Sequence, residues 1–191
     1  MIELKDTDFI ISDVTVSNLT PNFYNEAING KGQALSRGMH RLGVKFKVTL
    51  EDQYDIKRFN ALMLRIRGRL NPFYLSVSPD NSYNNPLYTE GAAMLSHSVG
   101  IGQNKMMLAT ASGDFVAGSV FQFPNDDKIY TLLDDARPNR EIEFFPASRF
   151  DHTEKEILNL NPRPLLRLSD DQYEIKLENA TEYQFTAMEI L

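Results

Sequence analysis

The sequence predicts a mainly β protein with one α-helix, in which a small β domain is inserted into a host β domain. Three observations support this prediction. A strongly alternating segment ends at Leu50, one stretch of helical periodicity follows it, and short β runs separated by turn residues fill the middle of the chain. The two ends of the chain are similar in pattern and differ from the middle. An insertion at an exposed loop explains that organisation.

Composition limits both the fold and the function. The chain has 191 residues, 42% of them hydrophobic, which is enough for one domain or two small ones with a real core. Its net charge of −6 argues against binding to bare DNA or RNA. The absence of cysteine excludes disulfides, thiolate metal sites and cysteine nucleophiles, and fits a reducing compartment such as a cytoplasm. Because there is no signal-peptide pattern and no long apolar run, we expect neither cleaved-signal secretion nor membrane insertion.

The first part of the chain is predicted as strands on either side of a long loop. Phe9 to Val16 is rich in β-branched residues and is typical of a strand, or of two short strands around Ser12-Asp13. Ser17 to Gly32 contains Pro21 and several asparagines, which predicts a loop of roughly 15 residues. A long β segment is then expected from Gln33 to Leu50. In its second half four apolar residues alternate with polar ones, and these are Val44, Phe46, Val48 and Leu50.

Glu51 to Arg67 has the periodicity of an amphipathic helix. Its apolar positions recur at helical spacing, and they are Ile56, Phe59, Leu62, Met63 and Ile66. Acidic residues precede basic ones along the segment, as the helix dipole favours, and Gly68 supplies a stop.

The remainder of the chain is predicted as short strands. One strand is expected at Phe73 to Val77, and the turn-rich stretch from Pro79 to Pro86 is taken as a domain boundary. The middle is expected to form a small sandwich or barrel from four runs, Lys105–Thr110, Ser119–Phe123, Lys128–Leu133 and Glu141–Phe145. After a polar connector from Asp151 to Pro164, two alternating strands are expected around Tyr173–Leu177 and Tyr183–Ala187, as a β-hairpin or as a pair of successive strands.

No pattern in the sequence predicts catalysis, a metal site or a cofactor site. Ser112 and Ser119 lack the strand-to-helix context of a nucleophile elbow, and Gly100-Ile101-Gly102 lacks the third glycine of a dinucleotide loop. The three histidines are scattered. The paired carboxylates are interpreted as turn residues, and these are Asp126-Asp127, Asp134-Asp135 and Asp170-Asp171.

One basic concentration stands out, at and just after the predicted helix. It consists of Lys57, Arg58, Arg65, Arg67 and Arg69. A solvated helix end that complements the dipole is one interpretation. A subunit contact with a partner surface rich in Asp and Glu is the other, because arginine pairs well with carboxylates at interfaces. Contact with nucleic acid is a minor third alternative.

The strand aromatics allow two interpretations as well. Phe121, Phe123, Tyr130, Phe144 and Phe145 are expected in a core, although a β face carrying aromatics would also suit a carbohydrate platform.

The stretch from Arg37 through Pro79 resembles the N-terminal part of the distal tail proteins of long-tailed (siphovirus) bacteriophages. The similarity lies in a strand (RGMHRLGVKFKVTL), an amphipathic helix carrying arginines (EDQYDIKRFNALMLRIRGR) and a following Asn-Pro-Phe strand (LNPFYLSVSP). Val116 to Pro146 is similar to a strand set common in tail proteins. Ser119 stands there in place of the usual aspartate.

This resemblance implies a β-sandwich host domain formed by residues 1–79 plus 160–191, and an OB-fold-like β-barrel domain inserted at 80–159. It also implies a structural, non-enzymatic virion protein. Members of the family form a homohexameric ring that joins the tail tube to the tail-tip hub. The implied partners are a second copy of the chain, the tail tube protein, the hub and the tape measure protein, after assembly in a host cytoplasm. The alternatives are a carbohydrate- or receptor-binding β module of a virion, and, less favoured, an unrecognised hydrolase.

Overall fold

The computed structural model describes residues 1–76, 93–110, 115–176 and 181–190. These residues contain thirteen strands and one helix, so the predicted class, mainly β with one α-helix, is confirmed.

The chain divides into two compact units. One unit is formed by Met1–Ile11 and Phe73–Leu165, and the other by Ser12–Pro72 and Leu166–Leu191. These bounds are not those of the predicted domains, whose ranges stay a prediction. The joint predicted at 79–86 lies outside the described residues.

The first unit contains a parallel pair of short strands and a five-stranded antiparallel sheet. The pair is β1 (Glu3–Leu4) and β6 (Phe73–Leu75). The sheet is formed by β7 (Met94–Leu95), β8 (Lys105–Thr110), β9 (Val120–Phe121), β10 (Tyr130–Leu132) and β11 (Glu141–Phe145), in the order β7-β8-β11-β10-β9. This sheet curls into a half-barrel, which is consistent with the predicted OB-fold-like barrel.

Aromatic residues fill the core of the first unit. Phe121 lies at the centre, with ring centroids 5.3 Å from Phe123, 5.6 Å from Tyr130 and 5.8 Å from Phe144. The rings meet mostly edge to face, which is a favoured geometry for aromatic pairs. The core interpretation is thus confirmed for these four residues. Phe145 is 40% exposed, because it points away from the buried side of β11.

The segment predicted as a polar connector, 151–164, also contributes to this core. Leu158 and Leu160 are buried, and Asn159 exchanges backbone hydrogen bonds with Gln122. The prolines at 162 and 164 prevent a helix, as expected, but the apolar positions before them still lie against the sheet.

The second unit is built on a sheet of long strands. It contains β2 (Ile10–Leu19), the hairpin strands β3 (Asn22–Glu26) and β4 (Gly32–Ser36), β5 (Arg41–Leu50), β12 (Leu165–Leu168) and β13 (Thr181–Glu189). Four of them run in the order β12-β13-β5-β2. The alternation predicted for β5 is confirmed, since Val44, Phe46, Val48 and Leu50 are buried.

Helix α1 (Gln53–Ile66) covers the buried face of β5 and β13. Asp52 caps its first turn, because one carboxylate oxygen accepts hydrogen bonds at 2.8 Å from the N–H groups of Tyr54 and Asp55. Phe59 packs on the rings of Tyr183 and Phe185, at centroid distances of 6.2 and 5.6 Å. The prediction of a helix over Glu51–Arg67 is therefore confirmed, with the bounds drawn in slightly at each end.

The predicted loop at Ser17–Gly32 is wrong, and the long β segment predicted at Gln33–Leu50 is interrupted at residues 37–40, between β4 and β5. The chain instead forms the β3–β4 hairpin, and Gly38, with a φ of +66°, lies in the break between β4 and β5. Asn29-Gly30 makes the hairpin turn, in which Gly30 has a φ of +77°. Asn-Gly is a dipeptide that strongly favours a hairpin turn. The other asparagines in the segment led to its prediction as a loop.

The strand predicted at Tyr173–Leu177 is wrong for residues 173–176, which form no strand. The neighbours of β13 are instead β5 and β12. Leu166 and Leu168 are buried on alternate positions of β12, so this short strand has the alternation of a sheet member despite the prolines before it.

Candidate protein interface

The five predicted contact residues all lie in the second unit and are all exposed. Lys57, Arg58 and Arg65 are on α1, and the Arg58 guanidinium lies 5.6 Å from the centroid of the Tyr54 ring. Arg67 is the C-cap residue, and its backbone N–H donates to the Met63 carbonyl at 2.9 Å. The solvated helix end and the subunit contact are therefore both still possible for this group.

Arg69 differs from the other four because the segment 170–171 lies against it. Its backbone N–H donates to Asp171 Oδ1 at 2.9 Å, and its guanidinium is within 3.8 Å of Asp170 and 3.9 Å of Asp171. Gly68 allows this approach, since a Cβ there would be 2.6 Å from the Asp171 Cα. Gly68 also has a φ of +60°, a conformation that favours glycine.

Arg69 lines a surface pocket together with Arg41 and Arg167. The pocket has a volume of about 460 Å³, and its apolar lining comes from Leu168, Met188 and Ile190. Sequence reasoning missed Arg41 and Arg167. Strand alternation predicts that both arginines are exposed, because each is adjacent in sequence to a buried leucine. It does not predict that the two arginines lie close together.

The strand order explains how these arginines meet. Arg167 on β12 pairs with Met188 on β13, and Met188 pairs with Gly43 on β5. Arg41 stands two residues before Gly43 and so lies on the same face of the sheet, at its end. The first residue of β5, an outward residue of β12 and the loop after α1 thus converge on one pocket.

A second exposed feature of this unit is the hairpin of β3 and β4, called the arm here. Every residue of Asn22–Glu26 and Gly32–Ser36 is exposed. Phe23 and Leu35 form a cross-strand pair on one face and are 60% and 69% exposed. The Arg37 guanidinium lies 5.1 Å from the centroid of the Phe23 ring. Ile28, in the turn, is also exposed.

The glycine pair at 100–102 has a structural role in this fold. Gly102 lies in a tight turn with a φ of +80°, and its N–H donates to the Ser148 carbonyl. Among the described residues no group of three or more His, Asp and Glu side chains is placed to hold a metal ion. No helix in the described part of the chain is long and apolar enough to span a membrane.

The paired carboxylates are engaged within the chain, in agreement with the turn interpretation. Asp126 accepts hydrogen bonds from the Lys128 N–H and the Tyr130 hydroxyl, and Asp127 accepts one from the Tyr74 hydroxyl. Asp134 accepts from the Glu143 N–H at 3.1 Å, and Asp135 accepts from the Ala117 N–H at 3.0 Å. Asp170 and Asp171 lie beside Arg69.

Four groups among the described residues of the first unit have shifted pKa values, and one of them is Lys105, whose pKa the hydrogen bond to Glu141 raises. Burial and then the hydrogen bond to Asp127 raise the pKa of Tyr74 to about 12. Burial and Asp126 likewise raise the pKa of Tyr130. Burial alone would raise the pKa of Glu156, but hydrogen bonds from the Thr153 N–H and hydroxyl, together with His152, hold it below its ordinary value.

No family model matches the sequence. No curated protein matches it significantly.

Proposed function

We propose that this chain is a structural component of a bacteriophage tail tip, a distal tail protein whose homohexameric ring links the tail tube to the tail-tip hub. In this role the chain is not an enzyme and needs no cofactor. It works in the virion after assembly in the host cytoplasm, with the tube, hub and tape measure proteins as neighbours. The resemblance in the strand, helix and Asn-Pro-Phe strand of Arg37–Pro79 supplies the identity of the assembly.

The exposed arm is the observation that favours an assembly protein. A two-stranded hairpin is marginally stable by itself in water, and this one presents Phe23, Leu35 and Ile28 to solvent. Exposed apolar groups of this kind mark protein contacts. In a ring the arm of each subunit would meet the next subunit by a head-to-tail contact, which closes when the rotation between neighbours completes a circle.

The alternative of a carbohydrate-binding module gains little from the strand aromatics. Four of the five rings lie in the core of the first unit, and Phe145 alone among these five is substantially exposed. Carbohydrate platforms use exposed rings, so these residues favour a packed core over a sugar site.

The test is the mass of the purified full-length chain, measured by light scattering over a range of concentrations and followed by electron microscopy of any oligomer. We expect a ring of about six subunits. Substitution of Phe23 and Leu35 by Ser should shift the population to monomers, because it removes the apolar face of the arm. The matched control is Leu64→Ser, which removes a similarly exposed leucine from α1.

A wild-type chain that stays monomeric both alone and when mixed with the tail tube and hub proteins would contradict the proposal. If the ring were equally stable in the arm variant and in the control, the chain would still be a ring protein, but the arm would not be part of the contact between subunits.

A further inference from the structure

We propose that the pocket formed by Arg41, Arg69 and Arg167 is a binding site for an acidic segment of another protein. The proposal rests on the charges and contacts of the second unit alone, and it does not depend on whether the chain forms a ring.

Two of the three arginines have no partner among the residues that the structure describes. The guanidinium groups of Arg41 and Arg167 form no hydrogen bond or ion pair with any residue that the structure describes, and both side chains are exposed. The guanidinium of Arg69 has only long contacts, at 3.8 and 3.9 Å, to the carboxylates of Asp170 and Asp171 among the described residues.

The pocket lining also contains Glu189, but its side chain is buried and accepts a hydrogen bond from the Leu42 N–H. The exposed guanidinium groups of Arg41 and Arg167 are therefore expected to gain free energy when an anion from outside joins them.

The chemistry of the lining favours carboxylates on a peptide. Arginine presents a planar fork of donors that matches a carboxylate in two parallel hydrogen bonds. The apolar floor from Leu168, Met188 and Ile190 suits the hydrocarbon parts of neighbouring side chains. A polyanion such as nucleic acid is disfavoured, because its closely spaced charges would meet Asp170 and Asp171 at the edge of the pocket as well as the arginines, whereas a short peptide with spaced carboxylates can reach the arginines alone.

The position of the chain's own acids favours a different protein as the source. All three adjacent aspartate pairs already make contacts inside the chain, with Tyr74, Tyr130, Arg69 and several backbone N–H groups. A second copy would have to break such contacts in order to offer one of these pairs to the pocket. An acidic segment of another protein can bind without breaking contacts of this kind, so its binding does not carry their free-energy cost.

The experiment measures the binding of a fluorescent octapeptide of alternating Glu and Leu, with both ends blocked, to the full-length chain by anisotropy. We expect binding that weakens as salt is added, because charge pairs at an open pocket are screened. The double variant Arg41→Gln/Arg167→Gln should bind at least about tenfold more weakly, since two charge-assisted contacts are lost. The variant Arg41→Lys/Arg167→Lys, which keeps the charge but loses the fork, should fall between the two.

The matched control is Lys57→Gln/Arg65→Gln, which removes the same charge from exposed residues of the same unit outside the pocket. It should bind the peptide like the wild type, and the peptide with Gln in place of Glu should not bind. Any of four results overturns the proposal. In the first two, the wild type fails to bind the peptide, or the control and the Arg41→Gln/Arg167→Gln variant weaken binding equally. In the other two, a thymidine oligonucleotide binds more tightly through the same arginines, or the Arg41→Gln/Arg167→Gln variant alone changes its oligomeric state. The last result would mean that the pocket binds a second copy of the chain. If the Arg41→Gln/Arg167→Gln variant still forms a ring, the pocket is not part of the ring contact, and the proposed function is tested independently of it.

Discussion

The carboxylate of Glu189 accepts a hydrogen bond from the backbone N–H of Leu42 at 3.0 Å. Glu189 is 2% exposed, although it lies at the end of β13 and is one of the residues that line the arginine pocket. A buried carboxylate is tolerated only when its oxygens have partners, so this contact ties the last strand of the second unit to the start of β5.

Glu189→Ala is expected to lower the free energy of unfolding by about 1 to 3 kcal/mol, because it leaves a buried N–H without its acceptor. Glu189→Gln should cost less, since its amide oxygen can still accept that hydrogen bond. Chemical denaturation of the full-length variants measures both values. If Gln and Ala were equally harmful, the carboxylate charge would matter and not the hydrogen bond to Leu42.

Gly68→Ala should destabilise the second unit for two reasons. The residue has a φ of +60°, and the added Cβ would approach the Asp171 backbone to 2.6 Å. We expect a loss of about 2 to 4 kcal/mol in the free energy of unfolding, from the strained φ and the clash together. Gly38→Ala is the matched control, because Gly38 has a φ of +66° and a Cβ added there would meet nothing within 4 Å beyond its chain neighbours. It should lose only about 1 to 2 kcal/mol by denaturation. Equal losses would show that the loop at Asp171 moves aside freely.

Gln122→Met is expected to destabilise the first unit although it keeps the size of the side chain. The Gln122 amide donates to the carbonyls of Asp127 and Arg163, and it accepts from Asn159 Nδ2 and from the Arg163 N–H. Methionine leaves these groups unsatisfied, at a cost of about 1 to 3 kcal/mol. Thermal unfolding checks this, with the exposed Gln33→Met as the control. Equal melting temperatures in the two variants would refute a structural role for the network.

The stability of the first unit should fall as the pH rises from about 10 to about 12. The pKa of Tyr74 is raised from 10.0 to about 12 in the folded chain, so the folded state keeps a proton that the unfolded state releases. Stability is therefore complete below the unfolded value and is lost as the pH approaches the folded one. Unfolding midpoints measured across this range test the slope. Tyr74→Phe should flatten it in part, because the raised pKa of Tyr130 still contributes. An unchanged slope would mean that Tyr74 ionises normally.

The local parts of this fold were predictable and the contacts between strands were not. Helix α1 was predictable because its buried residues recur at helical spacing and so lie on one face, and these are Ile56, Phe59, Met63 and Ile66. Asp52 and Gly68 mark its two ends. The five-residue basic group was found in the same way, since all its members are close in sequence. The arm was missed because the asparagines around Asn29-Gly30 resemble those of an ordinary loop.

The arginine pocket could not be predicted because no sequence spacing relates its members. Arg41, Arg69 and Arg167 meet only once β13 pairs with both β5 and β12. A hairpin between residues 173 and 187, which the alternation favoured, would have separated Arg167 from that neighbourhood. One incorrect strand assignment near the end of the chain was therefore enough to hide the site.

The arm has a practical consequence for handling the protein. Lys31 lies between the Asn29-Gly30 turn and the first residue of β4, and it is exposed like the residues around it. Trypsin cleaves after lysine, and exposed loop tips are preferred sites of nicking. A brief digestion should therefore cut the free chain at Lys31. If the arm contacts a neighbouring subunit, as we propose, the assembled chain should resist this cut, and the fragment pattern on a gel would then report the assembled fraction.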